Sequence, residues 1–102
     1  MTGRRETYRR IESEIAQEKA AALGRAGERL EEALAALDAV AGAFATAGDE
    51  ARRADLRSAY REARARVRTA RLHLVIQREA LGLRSHRVVD QQYPEPVSPP
   101  WL

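Results

Sequence analysis

The sequence contains no cysteine, which excludes disulfide bonds, thiolate catalysis and cysteine-based zinc sites. Aromatic residues make up only 5% of the chain, and alanine supplies much of the 44% that is apolar. Helices of this composition pack closely but build a thin core. We therefore expect the 102 residues to form a single domain that gains stability as a homodimer.

Long apolar runs are missing too. The least polar stretch, residues 33–48, is interrupted by Asp38 and is shorter than the roughly 20 residues that a membrane span requires. The N-terminal sequence MTGRRETYRR has positive charges without an apolar stretch behind them, so we expect no secretory leader. These features predict a soluble cytoplasmic protein with no membrane partner.

The periodicity of the first half predicts one long amphipathic helix over residues 6–46. Apolar or small residues recur there at steps of three, four and seven. The pattern breaks at residues 47–49, where Gly48 suits a left-handed residue after a helix and Asp49 suits the N-cap of the next one. Such a short connection makes the two helices antiparallel neighbours.

A second helix is predicted over residues 50–81, because its apolar residues follow a heptad spacing. Pairing the two helices about Gly48 places Gly24 and Gly27 opposite the bulky run 72–76, where small residues would permit close approach. The pairing also predicts an apolar seam of Leu23, Leu30, Leu37, Phe44, Leu56, Tyr60, Val67, Leu74 and Leu81.

The last twenty residues differ in character. Gly82 suits a helix stop, and Ser85 suits the cap of a short helix over residues 86–92. The four prolines of residues 93–102 favour an extended tail. The sequence thus predicts an all-α, coiled-coil-like antiparallel two-helix hairpin domain over residues 1–92, with a proline-rich tail, that dimerises into a four-helix bundle.

Two stretches of the sequence, IESEIAQEKAAALGRAGERLEEALAAL and VIQREALGLRSHRVVDQQYPEP, carry a family resemblance. They resemble a family of small uncharacterised bacterial α-helical proteins, a domain of unknown function with recurrent ALGRAG and QREAxGL segments. That family has no assigned activity. The resemblance implies a bacterial helical protein and no particular function.

Charge is divided unevenly along the chain. Residues 11–50 carry nine acids and three bases, whereas residues 51–90 carry eleven arginines and four acids. Five of these arginines, spaced four and three apart, form a ridge that would suit the phosphates of nucleic acid. We favour the alternative, a ladder of interhelical salt bridges to Glu28, Glu31, Glu32 and Asp38. The ridge consists of Arg57, Arg61, Arg64, Arg68 and Arg71.

A polar cluster of Gln77, Arg78 and Glu79 interrupts the apolar seam and would face residues 17–19 of the first helix. One interpretation is a pocket for a small ligand. We favour a buried polar cluster that fixes helix register or dimer orientation.

A second apolar stripe, formed by Leu72, Ile76 and Leu83, lies outside the seam and needs a cover. The candidates are a second subunit, the third helix with Val88, Val89 and Tyr93, or an unidentified protein partner. For the tail, we favour folding of Tyr93 and Trp101 onto this stripe or onto that of a symmetry mate. The tail also fits two weak motifs, a PxxP ligand and a C-terminal sequence that another domain binds.

The two histidines, His73 and His86, lack companions at a metal-like spacing, and no nucleophile motif or phosphate loop is present. We therefore expect no enzyme, cofactor or metal. The sequence favours a non-enzymatic helical interaction or adaptor module that acts as a homodimer. The alternative is non-specific association with nucleic acid through the arginine ridge.

Overall fold

The computed structural model describes residues 3–102, which fold into three α-helices without any strand in that range. Helix α1 spans Gly3–Ala45, α2 spans Glu50–Ala80 and α3 spans Arg87–Gln92. The two long helices pack against each other as a hairpin that measures 75 × 22 × 15 Å. The predicted all-α hairpin is confirmed, and the first two residues of the predicted domain lie outside the described part of the chain.

One apolar seam joins α1 and α2. Leu30 and Val67, at 0% and 1% exposure, are its most completely buried large side chains. Burying such a side chain stabilises the fold by roughly 1.5–3 kcal/mol. Part of the predicted seam is confirmed, because Leu30, Leu37, Tyr60, Val67 and Leu74 are buried in one core cluster and Leu23 packs against it. Leu56 is buried outside that cluster, and Phe44 and Leu81 are half-buried.

The connection between the long helices has one predicted feature and lacks another. Asp49 caps α2 as expected, because its Oδ1 accepts a hydrogen bond of 2.7 Å from the backbone N–H of Arg52. The prediction of a left-handed Gly48 is wrong, since Gly82 is the one glycine with a positive φ among residues 3–102. Gly82 ends α2 in a Schellman motif, in which the Leu83 N–H donates to the Arg78 carbonyl at 3.0 Å.

The predicted role of Gly24 and Gly27 is also wrong. A Cβ atom built at either position would meet no atom within 4 Å, so α2 does not approach closely there. Of the bulky run 72–76, Leu74 is buried in the core, whereas Leu72 and Ile76 are 58% and 48% exposed.

The short helix α3 returns the chain to the hairpin. His86 precedes it without a side-chain capping bond, so the expected cap by Ser85 is wrong. Val89 of α3 is 3% exposed and belongs to the same core cluster as the seam. Beyond α3 the chain has no regular structure until a final turn, in which the Leu102 N–H donates to the Pro99 carbonyl at 3.2 Å.

Candidate interaction surfaces

One side of the hairpin, here called the docking face, is covered by the chain's own residues 85–102. Tyr93, Trp101 and Leu102 pack with Val89 against the core. The Tyr93 hydroxyl donates a hydrogen bond of 2.7 Å to Glu31 Oε1 of α1. This bond to a carboxylate, together with partial desolvation, raises the pKa of Tyr93 above its ordinary value. The C-terminal segment therefore closes one flank of the seam.

Trp101 docks close to the interhelical turn. Its ring stacks on Phe44 with 3.9 Å between centroids and an interplanar angle of 11°. It also meets Tyr60 edge to face at 4.9 Å. Tyr93 and Trp101 were predicted to cover the stripe of Leu72, Ile76 and Leu83, and for the same chain this prediction is wrong, because Trp101 packs on Phe44 and Tyr60 at the turn end instead. Docking on the stripe of a second copy stays a prediction.

Three of the four arginines in one column on α2 hold the C-terminal segment in place, namely Arg57, Arg71 and Arg78. Arg57 Nε donates to the Trp101 carbonyl at 3.0 Å, and its Cζ lies 5.4 Å from the Phe44 ring centroid. Arg71 pairs with Asp90, and Arg78 Nη2 donates to the Ser85 carbonyl at 2.9 Å. The column was visible in the sequence as a seven-residue spacing, which places its members on one face of a helix. Its members are Arg57, Arg64, Arg71 and Arg78.

The predicted ladder of salt bridges between α1 and α2 is wrong. The ion pairs among residues 3–102 join Arg57 to Glu50 at 2.7 Å, Arg71 to Asp90, and His86 to Glu79 at 3.1 Å. None of them crosses the seam. The predicted ridge is thus divided: Arg57 and Arg71 contact neighbouring residues, and three members have no carboxylate within 4 Å in the described chain. Those three are Arg61, Arg64 and Arg68.

The polar cluster does not lie against α1. Arg78 and Glu79 bind the segment after α2, through the Ser85 carbonyl and the His86 ring. No polar or charged residue of the described chain is buried, and Gln77 is only half-buried. The prediction of a buried cluster is therefore wrong, because long charged side chains bend out to reach partners near the surface.

The opposite side of the hairpin, here called the open face, has no cover from residues 3–102. Arg66 follows Arg64 by two residues, and His73 follows Arg71 by two. Two residues correspond to about 200° around a helix, so Arg66 and His73 lie on the other flank of the seam. A shallow groove of about 520 Å³ runs along this flank. It is lined by Arg29, Glu32, Ala33, Ala36, Ala65, Arg66, Thr69, Ala70 and His73. Further along α2, Leu72 and Ile76 remain exposed.

The first part of α1, here called the arm, has no helix beside it for much of its length. Residues 3–21 are all exposed, and the first buried residue of α1 is Ala26. Tyr8, Ile11 and Ile15 are 71%, 50% and 45% exposed. Their spacing of three and four residues aligns them on one face. The unequal lengths of the two predicted helices already implied an unpaired end, although these residues were assigned to no interface.

The arm joins the paired part of the hairpin near Ile15, beside the end of α2. A groove there is lined by residues that include Ile15 and Lys19 of α1, Ala80 at the end of α2 and Leu81, which follows it. Ala80 lies one turn from Ile76 and two turns from Leu72 on α2. The exposed apolar residues at the end opposite the turn are here called the exposed edge, and they are Tyr8, Ile11 and Ile15 of the arm and Leu72 and Ile76 of α2.

Three broader findings bear on function. Within residues 3–102, no three histidine, aspartate or glutamate side chains converge as a metal site would require. None of the helices in this range is both long and apolar enough to cross a bilayer. No protein-family model, curated protein or solved structure matches this chain.

Proposed function

We propose that this protein is a non-enzymatic helical interaction module that acts as a homodimer. The observation that supports it is the exposed edge, where Leu72 and Ile76 of α2 and the stripe of the arm have no cover from residues 3–102. Large apolar patches left open to water on a monomer often mark a surface for association. A second copy that covers the edge produces the expected four-helix arrangement.

The C-terminal segment covers only one of the two faces of the hairpin, and this difference supports the same proposal. The C-terminal segment occupies the docking face, with Val89 at 3% exposure and Trp101 stacked on Phe44. The open face is not covered by residues 3–102, so another molecule would have to cover it. A thin core in a chain of this size makes such association energetically valuable.

Sedimentation equilibrium at micromolar concentration tests the homodimer. We expect a dimer for the unmodified chain and a monomer for Leu72→Asp combined with Ile76→Asp, because two buried carboxylates at an interface are costly. Val97→Asp is the matched control, since Val97 is 88% exposed and lies in the C-terminal segment. A monomeric unmodified chain would contradict the proposal.

A second candidate function is association with nucleic acid, without sequence specificity, through the arginine ridge. Arg61 and Arg68 are exposed, and with Arg64 they have no carboxylate within 4 Å in the described chain. Arginines that are not neutralised internally are available to phosphates, with affinity that falls steeply as salt rises. No aromatic residue interleaves the ridge, which weakens this candidate relative to the first.

An electrophoretic shift of labelled DNA and RNA at low salt tests this candidate. We expect any binding to disappear in Arg61→Glu with Arg64→Glu and to persist in Arg84→Glu with Arg87→Glu, a pair of exposed arginines outside the ridge. Absence of a shift at low salt would rule the candidate out.

A cytoplasmic location and the relation to a bacterial family stay predictions from the sequence.

A further inference from the structure

We propose that the arm pairs with the arm of a second copy, antiparallel, about a two-fold axis near Ile11. This inference depends on the homodimer proposed above and names the surface through which it forms. Every residue of the arm from 3 to 21 is exposed, and the groove that α1 shares with the end of α2 begins at Glu12, so residues 3–11 have no part of α2 beside them. An isolated helix of this length is only marginally stable in water, so a packed partner would stabilise it.

The apolar residues of the arm fit a helical partner. Tyr8, Ile11 and Ile15 are at least 45% exposed and form a stripe with three- and four-residue spacing. A groove beside Tyr8 and Ile11 is lined by residues of α1 alone. A stripe of this width is the surface that one helix presents to another.

The charges of the arm select a second copy in antiparallel orientation. Residues 4–10 carry four arginines and one glutamate, whereas residues 12–18 carry three glutamates and no base. An antiparallel pair sets the basic part of each arm against the acidic part of the other. A parallel pair would set arginines against arginines and glutamates against glutamates, which destabilises neighbouring helices.

The antiparallel arrangement also covers the rest of the exposed edge. With the axis near Ile11, the tip of each arm extends past Ile15 of the other copy toward Ala80, which shares a groove with Ile15. Ile76 lies one turn further along α2. Each arm therefore supplies the helix that the other hairpin lacks at its open end.

Two charge-reversal variants test the pairing. The acidic variant carries Arg4→Glu, Arg5→Glu, Arg9→Glu and Arg10→Glu, and the basic variant carries Glu12→Lys, Glu14→Lys and Glu18→Lys. We expect each variant alone to raise the dimer dissociation constant by about tenfold or more, because attraction becomes repulsion on both sides of the axis. An equimolar mixture should form a heterodimer by sedimentation or native mass spectrometry. Arg84→Glu with Arg87→Glu is the control and should not change the dimer.

Cysteine crosslinking tests the orientation, since the chain has no cysteine of its own. Ile11→Cys should form an intermolecular disulfide under mild oxidation, because the two copies of residue 11 meet at the axis. Tyr8→Cys should not, because its two copies lie at least about 9 Å apart along the helices. Equal crosslinking by both variants would indicate a parallel pair and overturn the inference.

The outcomes separate this inference from the proposal on which it depends. A monomeric unmodified chain overturns both. A dimer that both charge variants leave unchanged, without crosslinking through Ile11→Cys, overturns the arm pairing and leaves the homodimer standing. A monomer that binds labelled nucleic acid, and loses that binding only in the acidic variant, assigns the arm arginines to nucleic acid and overturns the pairing.

Discussion

Replacing Phe44 by alanine removes the surface on which Trp101 stacks. The two rings are nearly parallel at 3.9 Å. Arg57 links the two residues, because its Cζ lies over the Phe44 ring and its Nε donates to the backbone carbonyl of Trp101. Phe44→Ala should therefore release the end of the C-terminal segment while the seam of Leu30 and Val67 stays intact.

The expected magnitude follows from these contacts. Truncating a fully buried phenylalanine costs about 3–5 kcal/mol. Phe44 is half-buried, so about 2 kcal/mol of that cost applies. The stacked pair adds about 1 kcal/mol beyond burial. We expect Phe44→Ala to lower the free energy of unfolding by about 3 kcal/mol, which a domain of ordinary stability survives.

The assay uses the single tryptophan of the chain. Native emission from Trp101 should shift to longer wavelength in Phe44→Ala, because the indole becomes solvated, and urea denaturation should give the loss in stability. Leu23→Ala is the control: Leu23 is half-buried and packs against the core, and the predicted pairing sets it opposite Leu74, far from the turn. It should destabilise without changing native emission. If Phe44→Ala left native emission unchanged, the reasoning would be refuted.

Substitutions at four further positions test local features. Gly82→Ala should destabilise the fold by about 1–2 kcal/mol, since the φ of +82° at this position is unfavourable for a residue with a Cβ. Gly27→Ala should stabilise it by about 0.5–1 kcal/mol, since a Cβ there meets no other atom within 4 Å. Thermal unfolding measures both effects. Asp49→Ala should cost about 1 kcal/mol by urea denaturation through the lost cap, and Asp49→Asn should cost much less. The raised pKa of Tyr93 means that the protonated hydroxyl stabilises the fold. This stability is fully present below the ordinary tyrosine pKa of about 10, and it is lost as the pH rises through the pKa of Tyr93 in the folded protein. Tyr93→Phe should therefore weaken the loss of stability at alkaline pH, and an unchanged pH profile would count against the bond to Glu31.

The seam and its boundaries were predictable because they depend on local periodicity and on short-range chemistry. Leu30 and Val67 recur in columns that any antiparallel pairing about residue 48 buries. Asp49 and Gly82 suit particular backbone positions, and both were predicted as a cap and a stop. Gly48 was misassigned because a glycine in a turn suggests a left-handed residue without requiring one.

The polar contacts were not predictable to the same degree. An exposed ion pair contributes roughly 0–1 kcal/mol, so helix register does not dictate which carboxylate an arginine selects. Arg57 lies opposite Asp38 in the predicted pairing but binds Glu50 on its own helix and the Trp101 carbonyl. The course of the C-terminal segment was missed for a related reason. Its direction depends on where Phe44 and Tyr60 leave room for an indole, and that is a tertiary property.

The two ends of the hairpin should therefore respond separately to mutation. The turn end is stabilised within one chain, whereas the arm and the open face are expected to depend on a second copy. Phe44→Ala should lower the free energy of unfolding and leave the dimer dissociation constant unchanged. The acidic variant of the arm should weaken the dimer and remove the dependence of Tm on protein concentration, since a dimer gains stability by mass action. If Phe44→Ala dissociated the dimer, the C-terminal segment would belong to the interface, and the division between docking face and open face would be wrong.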